Sequence, residues 1–289
     1  MDQKVANKNE FTLVGRLTHT DIRTGTSAKT GHGYVSVTAT VTGDNNHEYE
    51  VKFFSNDVTS KGQPSQLYKK YTNMKDLEGQ KVEITGSFRE NRYFSTRTNQ
   101  MASMQELSGR FIDAKPDSTP DKGTWELSGF IVSELVEKQN KAGEIYRYDL
   151  RVAQANSQNK ANIFTLHVDP SAKDILNGVR AYGVGDTVHL YGRLDFTVVE
   201  SVVEHDTTGG FGSVPPKTYT NRQRNFFITG GDPAITDETA YDSTFIRELI
   251  EDYKANDAEL AAKGAQNAKA APAAAESNTK VRTRQASLI

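Results

Sequence analysis

One pattern of alternating apolar and polar residues is written twice in this chain, and that repetition limits the fold more than any other feature. FTLVGRL, YVSVTATV, EYEVKFF and KVEITGSFREN follow one another over residues 11–91. TWELSGFI, YRYDLRVA, NIFTLHV and DTVHLYGRLDF then follow in the same order, displaced by roughly 110 residues. Period-two alternation broken by Gly-rich turns is the mark of antiparallel sheet, because successive side chains in a strand point to opposite faces. Gly15 and Gly129 hold matching places in the two copies, as do Gly86 and Gly192. A period of this length is a duplicated domain, since solenoid repeats recur every 20–50 residues or so.

The chain has 289 residues, enough for two ordinary domains, each with its own core. A hydrophobic fraction of 36% points to small cores and a disordered portion. The alternation places a first domain at residues 9–114 and a second at 124–233. Between them, KPDSTPDKG (115–123) has the prolines and charges of a linker. The second copy carries a Gly/Pro insertion, HDTTGGFGSVPPKTYTNRQR, before its last strand, NFFIT. Residues 238–263 set Phe245, Ile246, Leu249, Ile250 and Tyr253 at helical spacing among acidic residues, which predicts an amphipathic helix packed on a barrel. Residues 264–289, rich in Ala, Asn and Ser with a basic KVRTR, read as a disordered tail. With no cysteine there are no disulfides or thiolate metal sites. No signal peptide opens the chain and no apolar run is long enough to cross a membrane, so a cytoplasmic protein is expected, in the host cytoplasm if phage-encoded. The net charge of −2 hides an uneven distribution: residues 1–115 carry +3 and residues 116–235 carry −3.

Each copy supplies the strands of a five-stranded barrel. In the first, SQLYKKYTNMKDLEGQ offers a short helix between the third and fourth strands. That order is the OB-fold, which binds nucleic acid on one sheet face. The expected class is therefore all-β: two tandem five-stranded Greek-key barrels of OB type, then the amphipathic helix and the tail.

Binding single strands without sequence preference needs aromatic faces for bases and a basic track for phosphates. Strand parity says which side chains are offered. In EYEVKFF, Tyr49, Val51 and Phe53 share one side, the core, and Lys52 and Phe54 face out. Val82 and Ile84 face in along the next strand, and the hairpin beyond it presents Arg89, Arg92, Tyr93, Phe94 and Arg97. The first loop adds Arg23, Lys29 and Tyr34, and Arg16 leaves the opening strand. Each has an ordinary reading as well. Phe54 and Tyr93 could simply cover the barrel, one of the adjacent Tyr93 and Phe94 is expected in the core, and surface Lys and Arg are most often solvated.

NEFTLVGRLTHTDIR, GYVSVTATV, HEYEVKFFSND and LEGQKVEITGSFRENRYFS, in that order, resemble the bacterial and phage single-stranded DNA-binding proteins, here in a tandem, phage-type form. The resemblance covers about residues 8–112. It implies a non-catalytic protein of DNA replication, recombination or repair. Single-stranded DNA would be its partner, with no cofactor and no metal, and replication or recombination proteins as further partners. Phe54 falls where the family stacks a base, and Tyr93 where it commonly has a stacking tryptophan. The family's acidic tip with a terminal Pro-Phe has no counterpart in QASLI. Tandem barrels can replace the association of separate subunits, so a monomer or homodimer is expected.

The second copy departs from the first. Val199 stands where Tyr93 stands, and NIFTLHV puts Phe164, Leu166 and Val168 inward with Ile163, Thr165 and His167 outward. Its candidates are Tyr146, Arg147 and Arg193, with Phe211, Tyr219, Arg222 and Arg224 from the insertion. Weak binding or a structural role is expected of it, and Trp125 is expected in its core. An enzyme is the weaker reading. GTSAKTG (25–31) lacks the Lys-Ser/Thr of a phosphate loop, and the six histidines are scattered. A single-stranded RNA binder and a purely structural OB protein remain as alternatives.

Overall fold

The computed structural model describes residues 7–44, 47–203 and 217–270. The first barrel comprises β1 (Asn9–Thr26), β2 (Gly33–Thr42), β3 (Glu48–Asn56), helix α1 (Gln66–Thr72), β4 (Lys81–Ser95) and β5 (Gln100–Ala114). Its ladders run β1–β2–β3–β5–β4 and back to β1, which closes the barrel. All pairs are antiparallel except β3–β5, which is parallel. This is the OB topology. Ser65 caps α1, its hydroxyl accepting from the Tyr68 amide.

The second barrel repeats the plan with β6 (Lys122–Ile131), β8 (Ile145–Ala155), β9 (Ala161–Val168), helix α2 (Lys173–Arg180), β10 (Thr187–Val203) and β11 (Lys217–Gly231). A short extra strand, β7 (Val136–Gln139), pairs with the edge of β8. The single parallel contact recurs as β11–β9. The matched glycines are explained by close approach. A Cβ at Gly86 would stand 2.1 Å from the Ser108 carbonyl oxygen, and one at Gly192 would stand 2.0 Å from that of Phe227. Each marks a register shift at the start of a long hairpin.

The barrels are not beads on a string. β1 pairs antiparallel with β6, joining the eleven strands of the described residues into one sheet, and Phe11 lies opposite Trp125 in that ladder. Phe11 precedes Gly15 by the same interval as Trp125 precedes Gly129, so the two are equivalents. A pseudo-two-fold axis therefore passes between them. Each long hairpin then crosses onto the other barrel. From β4, Phe88 enters the second barrel, edge-on to Trp125 and Phe164 and tilted against Phe226 at 5.3 Å. From β10, Phe196 meets Tyr49 at 5.4 Å, while Arg222 and Arg224 pair with Glu48 and Glu50 at 2.8 and 3.5 Å. The result is one continuous hydrophobic core with residues of both copies. Trp125 is buried within it, as expected.

Three boundaries differ from expectation. Lys122 and Gly123 already belong to β6, where they pair with Val14 and Leu13, so the connecting segment is shorter than 115–123. Helix α3 runs Ser243–Ala270, starting later than residue 238 and reaching into the segment expected to be disordered. Asp242 sets its start, its carboxylate accepting from the Thr244 and Phe245 amides. The rest of the expected tail, residues 271–289, lies outside the described residues.

As its apolar stripe implies, α3 packs on a barrel. Leu249 is buried, and Phe245, Ile246, Ile250 and Tyr253 pack with it against Phe130, Ala153 and Ile163 of the second barrel. No helix among the described residues is long and apolar enough to cross a membrane.

Candidate nucleic-acid interface

Register decides the outward face of β3. Tyr49, Val51 and Phe53 are buried, whereas Phe54 is 58% exposed. Tyr34 of β2 lies on the same face, diagonal to Phe54, because Tyr34 opposes Asn56 and Ser36 opposes Phe54. The two rings stack with centroids 6.0 Å apart and planes 24° from parallel. Tyr34 is half-buried and supports the exposed Phe54 ring, whose open face a nucleic-acid base has the right shape to cover.

Beside this pair sits a charged group that sequence reading missed. Glu106 of β5 is 3% exposed. It accepts from Lys52 Nζ at 2.7 Å and from Asn91 Nδ2 at 3.0 Å, and Arg89 lies 3.7 Å away. Burial pushes its carboxyl up, but hydrogen bonds from Lys52 and Asn91 and the charges of Lys52 and Arg89 outweigh this and hold it below the usual range. Glu106 thus stays ionised and fixes Lys52 and Arg89 side by side. It faces Arg89 across the β4–β5 ladder, so only a correct hairpin register could have revealed it.

The remaining candidates separate into groups. Tyr93 is 47% exposed on the hairpin, and Arg97 is exposed in its turn. Phe94 is half-buried near Gly264 of α3. In the first loop Lys29 is exposed, while Arg23 is tied at 2.6 Å to Asp21. Arg16 donates to the Gly79 carbonyl and pairs with Asp117 at 2.9 Å, bracing the connecting segment. Arg92 is committed to the C-terminal helix. Its side chain is 14% exposed, it bonds Asp257 at 2.7 Å, and its guanidinium lies 4.0 Å from the Tyr253 ring centroid. Tyr253 in turn donates to Glu90 at 2.6 Å.

In the second barrel two expected outward residues are covered. Ile163 is buried under α3, and its amide donates to Glu90 of the crossing hairpin at 2.9 Å. His167 is buried against Asp149, 2.9 Å away, and packs edge-on to Phe227. Parity was read correctly there, but neighbours distant in sequence fill the space outside the strand. Tyr146 is 52% exposed with Arg147 near its ring. Arg147 pairs with Asp149 at 2.9 Å and reaches Asn225, and Arg193 lies 4.8 Å over the Phe227 ring. Arg222 and Arg224 bind Glu48 and Glu50 as described. Phe211 lies outside the described residues.

Among the described residues no group of three or more His, Asp or Glu is placed to hold a metal ion. One open cleft among the described residues is lined by Thr12, Thr85, Gly86, Arg110 and Phe111.

A family model described as YorF matches residues 7–266. The chain belongs to the YorF family. No curated protein matches this YorF-family sequence. Among solved structures it is similar to the wild-type single-stranded DNA binding protein from Thermus aquaticus. The TM-score is 0.50 at 13% identity, covering 82% of this chain and 98% of that one. A deletion mutant of the same Thermus protein matches with TM-score 0.49 at 13% identity, covering 80% and 96%. At such identity the likeness of this YorF-family chain to the wild-type Thermus protein is one of fold.

Proposed function

We propose that this protein binds single-stranded DNA without sequence preference, serving replication, recombination or repair in a bacterial or phage setting, and that it performs no catalysis. The exposed Phe54 ring, stacked on the half-buried Tyr34, carries the reading. It lies on the outer β2–β3 face, next to Lys52 and Arg89 held in place by Glu106. Bases would stack on the rings while phosphates meet Lys52, Arg89, Lys29 and Arg97, with Tyr93 extending the aromatic track. The fold shared with a Thermus protein described as binding single-stranded DNA supports the same reading. The first barrel, residues 9–114, carries most of the contact, although its Phe88 is anchored in the second.

The test is a titration of labelled oligo-dT, the matching oligo-U and duplex DNA at two salt concentrations. Affinity for oligo-dT is expected to fall roughly tenfold or more between about 50 and 200 mM salt, with duplex binding far weaker. Equal binding of duplex and single strand would overturn the stacking argument. Clear preference for oligo-U would move the assignment to RNA, which the 2′-hydroxyl distinguishes.

A further inference from the structure

Arg89, Asn91 and Tyr93 alternate along β4 and share one face. Arg92 and Phe94 take the other parity and meet α3. An exposed amide side chain therefore stands beside the exposed Tyr93 ring, two residues or about 7 Å along the strand. Chemistry fixes which way that amide faces. Glu106 is ionised, and an ionised carboxylate only accepts hydrogen bonds. Asn91 must accordingly turn its Nδ2 to Glu106 Oε1, 3.0 Å away, and its Oδ1 outward. That oxygen takes no hydrogen bond among the described residues. Lys52 donates to the same Oε1 at 2.7 Å, and Arg89 lies 3.7 Å from Oε2. Both cations keep N–H groups to spare. Glu50, the neighbouring carboxylate on β3, is paired with Arg224 at 3.5 Å. A ligand at Tyr93 thus meets one free acceptor, Asn91 Oδ1, among cationic donors.

We propose that Asn91 reads the edge of the base stacked on Tyr93, favouring a base with a ring N–H beside a carbonyl, thymine or guanine, over cytosine and adenine. This rests on the single-strand reading above. Unpaired bases leave their Watson–Crick edges open to such contacts. Thymine offers its N3–H to Asn91 Oδ1 and its flanking carbonyls to Lys52 or Arg89. Cytosine, a ring of similar size, turns an acceptor N3 to that oxygen and an amino group to the cations. The Phe54 ring selects by its flat face alone, so the preference is confined to one position of the bound strand.

Fluorescence anisotropy on the full chain at neutral pH tests this with labelled oligo-dT, oligo-deoxyuridine and oligo-dC of one length, roughly 4–16 nucleotides. Oligo-dT and oligo-deoxyuridine are expected to bind alike and about threefold to tenfold tighter than oligo-dC, the worth of one or two hydrogen bonds. Asn91→Ala is expected to bring that ratio close to one. Oligo-dT methylated at N3 lacks the N–H and is expected to bind wild type no tighter than oligo-dC, an arm that needs no variant. Tyr93→Ala should shrink the ratio, whereas Phe54→Ala should weaken both oligomers and leave it. A ratio near one in wild type, or one that Asn91→Ala leaves unchanged, overturns the proposal, since stacking and backbone flexibility then set any preference. Preference for oligo-dT without oligo-deoxyuridine also overturns it, because the methyl group would be what is read. A ratio lost in Phe54→Ala but kept in Tyr93→Ala overturns the placement at Tyr93. Anisotropy that changes with none of the oligomers defeats the underlying single-strand reading instead.

Discussion

Phe54 stands in the open, stacked 6.0 Å from the half-buried Tyr34, while Phe53, one residue along β3, lies buried against Tyr71. Adjacent aromatics thus have opposite fates. Phe54→Ala and Tyr34→Ala are each expected to weaken oligo-dT binding by about 1–3 kcal/mol with little change in melting temperature. Phe53→Ala should instead cost about 3–5 kcal/mol of stability. Affinity and melting curves on all three variants check this; normal DNA binding by both outward variants would remove the platform.

Glu106 holds Lys52 and Arg89 and at the same time competes with phosphate for them. Glu106→Gln is expected to raise oligo-dT affinity by roughly threefold to tenfold, because one full charge leaves the face. The same variant has a pH signature. A carboxyl whose folded pKa is depressed contributes stability above its unfolded value, near 4.5, and that contribution is lost as pH falls through the folded value. Stability of Glu106→Gln should accordingly fall less than wild type below about pH 4.5. Acid unfolding curves that superimpose would show that the carboxylate contributes nothing.

Arg92 was a candidate phosphate ligand by sequence, but its geometry makes it a fastener for α3. Arg92→Ala is expected to cost about 2 kcal/mol of stability through the lost Asp257 bond and Tyr253 contact. Its effect on oligo-dT affinity should be smaller than that of Phe54→Ala. Hydrogen exchange along α3 should speed up in this variant. Unchanged exchange together with a large affinity loss would return Arg92 to the DNA track.

The shared core bears on dissection of the chain. A fragment of residues 1–115 would expose Phe88 and Phe11 along with the unpaired edge of β1. It is expected to aggregate or to unfold well below the full chain, and the full chain should melt in one transition. Two separated calorimetric peaks, one matching the fragment, would refute this.

Much of the barrel plan was legible in the sequence, because parity within a strand is a local property. Tyr49, Val51 and Phe53 inward, Phe54 outward and the matched glycines all follow from neighbours in the chain. Contacts between the copies left no such local mark. Ile163 and His167 alternate as outward residues, and only the folded chain shows α3 and the crossing hairpin lying over Ile163, and Asp149 and Phe227 enclosing His167. Arg92 looks like any surface arginine until Tyr253 and Asp257 arrive from far down the sequence. Glu106 becomes meaningful only once the hairpin register sets it across from Arg89.

The Phe11–Trp125 pair has one more consequence. Had two separate copies of a single barrel met about a true two-fold axis, each side chain would occur on both halves, and phenylalanine would face phenylalanine. Joined in one chain, the halves are free of that duplication. Phenylalanine can face tryptophan at the axis, and a lysine on one face can be matched by a histidine on the other. A substitution that improves one face no longer has to be tolerated by its twin.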